Sequence, residues 1–165
     1  MTACPRSLRL LVCGNADRGD DGAALRAVAH FLPRLGQAVL ERIEVRRCLQ
    51  LDALDLIDVP ESEAVVILDT VVGVSPGKVV CVPLPELAAL EGKIAPRSSH
   101  ALPIDQVLGI AAAVRGSLPP GIFVGIGGKW FGFGELLSRA VRDGIPDLER
   151  AAEDEIVRLV SPASV

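Results

Sequence analysis

Leu8–Gly22, LRLLVCGNADRGDDG, decides how the chain folds. Leu8, Leu10, Leu11, Val12 and Cys13 form the short apolar run of a central parallel strand, and Gly14, Asn15, Gly19 and Gly22 mark the turn-rich connection after it. That connection carries two adjacent carboxylates, Asp20 and Asp21, to the carboxyl end of a strand. Open α/β sheets bind their ligands beyond such ends.

Reading outward, Leu25, Val28, Ala29 and Leu32 recur at helical spacing until Pro33 and Gly36 stop the pattern. Ile43 to Cys48 reads as a second strand, Leu51, Leu54 and Ile57 as a second helix, and Ala64 to Leu68 as a third, buried strand that Asp69 ends. The Gly73–Gly77 turn is too short to hold a crossover helix, so Lys78 to Val82 is predicted to run antiparallel. A short helical piece follows around Leu84 to Leu90, then a polar loop with Lys93, Arg97 and His100. Leu102, Val107, Leu108, Ala111 and Val114 line a helix that ends at Gly116, with Pro103 suited to its first turn. Ile122 to Ile126 is a fifth strand, Glu135 to Arg142 a short helix, and Ile145 to Val160 a final amphipathic one; the glycine-rich Gly125–Gly134 segment reads as a mobile loop. The expected fold is a single α/β domain over residues 1–165: three α/β/α layers around a five-stranded, mostly parallel twisted sheet with one antiparallel strand.

The composition agrees with an ordinary α/β enzyme. At 165 residues the chain is long enough to bury a core without metal or disulfide staples. Half of it is hydrophobic but only 3% is aromatic, so Leu, Val, Ile and Ala must fill that core. A net charge of −4 with scattered basic residues argues against a nucleic-acid partner. No apolar run approaches the length of a spanning helix and no signal-peptide pattern opens the chain, so the expectation is a cytoplasmic protein without membrane insertion. Cys4, Cys13, Cys48 and Cys81 form no C-x-x-C pair; in a reducing compartment they read as buried small apolar residues.

Donor side chains fall at comparable places: Asp20 or Asp21 after strand one, Asp69 after strand three, and His100 before a helix. Two carboxylates and an imidazole suit a borderline divalent cation that keeps positions open for a ligand. Each residue also has a plainer reading. One of Asp20 and Asp21 suits capping of the first helix, Asp69-Thr70 suits a turn, and a His at a helix start is commonly a surface or capping residue. His30, inside the first helix, takes the structural reading. Gly14-Asn15 resembles no phosphate-binding loop, although the glycine backbone there lets a substrate come close.

Taken together, the chain resembles the maturation endopeptidases of nickel-iron hydrogenases. The likeness rests on L-L-V-C-G-N-A-D-R-G-D-D-G-A-A at Leu10–Ala24, A-V-V-I-L-D-T at Ala64–Thr70, S-S-H-A-L at Ser98–Leu102 and L-S-R-A-V at Leu137–Val141. It implies removal of a C-terminal extension from a hydrogenase large-subunit precursor. It also implies that Asp21, Asp69 and His100 engage nickel already held by that precursor, which makes the metal a signal of completed assembly; another divalent metal could take its place in vitro. Either Asp20 or Asp21 is then the candidate for the activating base. Gly14, Asn15, Arg97 and Trp130 are the candidates for substrate contact. Two departures stand out: Val12-Cys13 where the family has a glycine two positions before Gly14, and Gly127-Gly128-Lys129-Trp130-Phe131 in place of its Glu-Ser-Leu-like segment. The altered loop motivates the alternative of an accessory protein that binds precursor or metal without cutting. A small-ligand-binding α/β domain is a third reading, on fold analogy alone.

Overall fold

The computed structural model describes residues 7–90 and 102–161. Five strands form one sheet in the order β2-β1-β3-β5-β4. They are β1 Ser7–Cys13, β2 Ile43–Cys48, β3 Glu63–Pro76, β4 Val79–Pro83 and β5 Gly121–Gly127. β1 lies between β2 and β3, all parallel; β5 continues the parallel set, and β4 pairs antiparallel with β5. The helices are α1 Ala23–Phe31, α2 Gln37–Leu40, α3 Leu54–Ile57, α4 Leu84–Ala88, α5 Ile104–Arg115 and α6 Arg139–Val160.

The alternation of β1 explains the layers. Leu8, Leu10 and Val12 enter one buried cluster with α1 and α6, whereas Leu11 and Cys13 enter another with α3, α4 and α5. Successive strand side chains point to opposite faces, so a strand apolar on both must be covered twice. Arg9 is the polar exception. It is buried, yet its guanidinium reaches the edge of the sheet and meets Asp58, Glu44 and the Asp55 carbonyl. Gly116, with φ of 89°, caps α5 in the left-handed conformation, as its place in the sequence suggests.

Several boundaries depart from the sequence reading. Asp69 does not end β3. The ladder with β1 stops at Val12↔Leu68, but the ladder with β5 runs on through Asp69↔Gly125, Thr70↔Ile126 and Val71↔Gly127. α1 turns a different face inward: Ala23, Ala24, Ala27, Val28 and Phe31 are buried, while Ala29 is exposed. The second helix shortens to α3, whose start is held by a hydrogen bond from Leu54 N–H to Asp52 Oδ1 at 2.9 Å. α2 was not anticipated.

The two C-terminal helices are one, α6, which passes through Pro146. A proline there forfeits one helix hydrogen bond. Val141, Ile145, Leu148, Ala152, Ile156 and Val160 nevertheless share a buried face, and about 1.5–3 kcal/mol for each large aliphatic side chain outweighs that loss. Residues 135–138 are not helical, for a reason that lies in the site. No helix among the described residues is long and apolar enough to cross a membrane.

Candidate active site

The ends of β1 and β3 place the acidic residues. After Cys13 the chain turns at Gly14, whose φ is 138°. A Cβ at Gly14 would lie 2.0 Å from the Asp21 carbonyl oxygen, so only glycine lets the turn close on the acidic segment. Gly19–Gly22 then forms one short 3-10 helix that leads into α1. Asp20, Asp21 and Asp69 are all buried, with exposures of 0%, 3% and 9%.

The two adjacent carboxylates have different surroundings. Asp20 Oδ2 accepts hydrogen bonds from Lys129 N–H at 2.8 Å, Trp130 N–H at 2.9 Å and Ser138 Oγ at 2.8 Å, and its Oδ1 accepts from Ser138 N–H at 2.6 Å. Its own N–H donates to the Trp130 carbonyl at 2.9 Å, and its carbonyl accepts from Thr70 Oγ1 at 2.8 Å. Asp20 is thus the anchor of the loop after β5. Donors occupy both of its oxygens. This anchoring also explains why residues 135–138 stay out of helix: Ser138 is pinned by backbone and side chain to a carboxylate on another element.

Asp21 faces the other way in this loop. Its Oδ2 accepts from Asn15 N–H at 2.8 Å, which fixes the carboxylate over the Gly14 turn. Asn15 in turn uses its Oδ1 to hold Asp17 N–H at 2.9 Å. Asp69 lies on the neighbouring strand, one residue beyond the Leu68 that pairs with Val12, and its Oδ1 accepts from Thr70 N–H at 2.8 Å. Asp21 and Asp69 therefore belong to the same carboxyl edge, on the first loop and on the strand beside it. Asp69 is also close enough to Cys13 for its charge to act on that thiol.

His100 and Arg97 lie outside the described residues, as does Cys4. Among the described residues no group of three His, Cys, Asp or Glu side chains is gathered to hold a metal. Asp21 and Asp69 supply oxygen donors of the kind a borderline divalent ion accepts from protein, and both are oriented by backbone N–H groups. His30 is on the far side of α1, where Nδ1 meets Glu149 Oε1 at 2.9 Å, in keeping with a structural role.

The loop read as mobile is tied down along its length. Gly19 N–H donates to the Gly134 carbonyl, Gly134 N–H to the Asp17 carbonyl and Gly128 N–H to the Val71 carbonyl, at 2.8–2.9 Å. Trp130 packs against Gly19, where a Cβ would meet its ring at 2.4 Å. Trp130 as a whole is 46% exposed, which places it at the rim of the acidic site. Phe133 and Leu136 are more exposed still, and the Arg18 guanidinium lies 3.7 Å from the centre of the Phe133 ring. Sequence reasoning gave no role to Thr70 and none but a resemblance to Ser138. Their only signal is a position next to Asp69 and inside L-S-R-A-V.

Neither a family model nor a curated protein sequence matches the chain. Solved structures do. The hydrogenase maturating endopeptidase HybD from Escherichia coli superposes with a TM-score of 0.71 at 20% identity, covering 92% of each chain. The nickel-iron hydrogenase maturation protease HybD from Thermococcus kodakarensis gives 0.63 at 25% identity, covering 90% of this chain and 97% of its own. A further endopeptidase from Escherichia coli gives 0.68 at 21% identity, covering 91% and 93%. Over nine-tenths of its length, the chain has the fold of the hydrogenase maturation endopeptidases.

Proposed function

We propose that the protein is an endopeptidase that removes the C-terminal extension of a nickel-loaded hydrogenase large-subunit precursor. The observation that carries this reading is the placing of Asp21 and Asp69 together at the carboxyl edge of a sheet whose fold is that of hydrogenase maturation endopeptidases. In this reading Asp21, Asp69 and His100 engage the nickel that the precursor already holds, and the metal is part of the substrate.

Hydrolysis adds water to the scissile carbonyl, breaks the C–N bond and delivers a proton to the departing amine. We favour Asp21 as the carboxylate that accepts the proton of the attacking water and passes it on, since it is held over the Gly14 turn at the carboxyl edge of the sheet. Both aspartates are oriented by backbone N–H groups that the fold holds in place, so neither must reorganise when a substrate arrives. Asn15, Trp130 and the glycine backbone at Gly14 frame the approach, with Arg97 as a further contact. The working compartment is taken to be the cytoplasm.

The test incubates the protein with nickel-loaded and nickel-free precursor and follows the C-terminal extension by intact mass spectrometry. Cleavage of the loaded form alone is expected. Asp21→Asn should abolish it while leaving the unfolding free energy within about 1 kcal/mol of the parent, because an amide oxygen can still accept from Asn15 N–H. Stable binding of precursor without cleavage would replace the peptidase by a non-catalytic accessory protein.

A further inference from the structure

The site described above leaves one chemically competent pair unused. Cys13 and Cys48 end the adjacent strands β1 and β2 and are in register with each other. Their sulfurs are 3.0 Å apart. Neighbouring parallel strands are about 4.8 Å apart, inside the range of Cα separations that disulfides span. Two thiolates sharing a tetrahedral zinc ion would stand about 3.8 Å apart, from Zn–S bonds of about 2.3 Å. The observed approach is closer than that and lies on the way to a bond of about 2.05 Å.

The two thiols differ in access. Cys13 is fully buried, whereas Cys48 is half-buried and open to small solutes. Because Cys13 is enclosed and Cys48 is not, Cys48 is the sulfur that meets an oxidant first. The pair also reaches the acidic loop through the backbone. Gly14 N–H donates to the Cys48 carbonyl at 2.9 Å, and Gly14 is the residue packed against the Asp21 carbonyl.

We propose that Cys13 and Cys48 form a reversible disulfide in response to peroxide, a modification site built into the edge of the sheet beside Asp21 and Asp69. The Cys48 thiolate attacks a peroxide oxygen; the O–O bond breaks, and the departing oxygen leaves as water with Cys48 as a sulfenic acid. Cys13 sulfur then attacks Cys48 Sγ. The S–S bond forms, the S–O bond breaks, and hydroxide leaves with the Cys13 proton as a second water. Two thiols are oxidised by two electrons and one hydrogen peroxide is reduced to two waters. A thiol reductant reverses the bond by exchange. Closing it draws the ends of β1 and β2 together under the Gly14 turn, so the oxidised protein holds Asp21 in an altered position and processes precursor more slowly. Only this last effect rests on the proposed peptidase activity.

The test treats the full chain with equimolar hydrogen peroxide under native conditions, then measures intact mass and maps tryptic peptides without reduction. The expected product has lost two hydrogens, titrates two free thiols instead of four, and links Leu10–Arg18 to Cys48–Lys78. Dithiothreitol should restore it. Cys48→Ser should neither form the link nor lose processing rate on peroxide treatment. Recovery of Cys13 as an alkylatable thiol after peroxide, or a link formed through Cys4 or Cys81 instead, would overturn the proposal. If the link forms but the reduced protein cleaves no precursor, the dithiol stands and the peptidase reading fails.

Discussion

Asp20→Asn separates an anchoring carboxylate from a catalytic one. The change keeps size and shape but removes the charge and replaces one acceptor by a donor. If the amide oxygen takes the Oδ2 position, it can still accept from Lys129 N–H, Trp130 N–H and Ser138 Oγ, but the amide nitrogen then faces Ser138 N–H across 2.6 Å. One charge-assisted bond, worth about 1.5–3 kcal/mol, is lost outright, and the other three weaken by roughly half a kcal/mol each. The sum is about 3–4.5 kcal/mol, a large share of the 5–15 kcal/mol that typically holds a domain together. With a urea slope of about 2 kcal/mol/M for a chain of this size, the midpoint should fall by about 1.5–2.2 M. Trypsin should also cut after Lys129 faster under native conditions, because the N–H groups of Lys129 and Trp130 lose their shared charged acceptor. The reasoning is refuted if Asp20→Asn unfolds within about 0.5 kcal/mol of the parent and yet processes no precursor. That result would make Asp20 a participant in the chemistry.

Gly14→Ala places a methyl 2.0 Å from the Asp21 carbonyl oxygen at a φ that L residues avoid, so a cost of about 1–3 kcal/mol is expected together with loss of processing, read by urea unfolding and the cleavage assay. Phe31→Ala empties the buried seam under α1 and should cost about 3–5 kcal/mol by urea unfolding, with processing at low temperature retained. The hydrogen bond from Arg46 holds the Glu44 carboxyl below its ordinary range; against a desolvation that works the other way, Arg9 and Arg46 do the same for Asp58. Folded, both release protons more readily than when unfolded. Their stabilisation is therefore present above the ordinary carboxylate pKa of about 4 and fades as pH falls through the lower folded values. Because both are well exposed the effect is small, and Arg46→Gln should flatten the fall in urea midpoint below about pH 4.

What was legible in the sequence is what local pattern encodes. β1 was readable because a continuous apolar run ended by Gly14 and a polar turn has few alternatives, and the antiparallel β4 because five residues from Gly73 to Gly77 leave no room for a crossover. The division of labour between Asp20 and Asp21 was not readable residue by residue. It is set by Ser138, 118 positions away, and by Thr70, 50 positions away, and nothing in either neighbourhood marks such a partner. α6 was divided between Arg142 and Ile145 by local pattern, whereas burial of one continuous face makes it a single helix in the folded chain.

The clamp on Asp20 also governs when the site can come into being. β1, α1 and the acidic loop are made early, but the cluster they enter is completed by Val141 to Val160 of α6, and the loop's anchor waits for Lys129, Trp130 and Ser138. During synthesis the N-terminal half emerges with one face of its sheet uncovered and its carboxylates unplaced, and contacts of such long sequence separation close slowly. A nascent chain halted before residue 138 therefore carries Asp20, Asp21 and Asp69 without the Ser138 that holds Asp20, so the site is completed in a single late step with the docking of the last helix rather than growing with chain length.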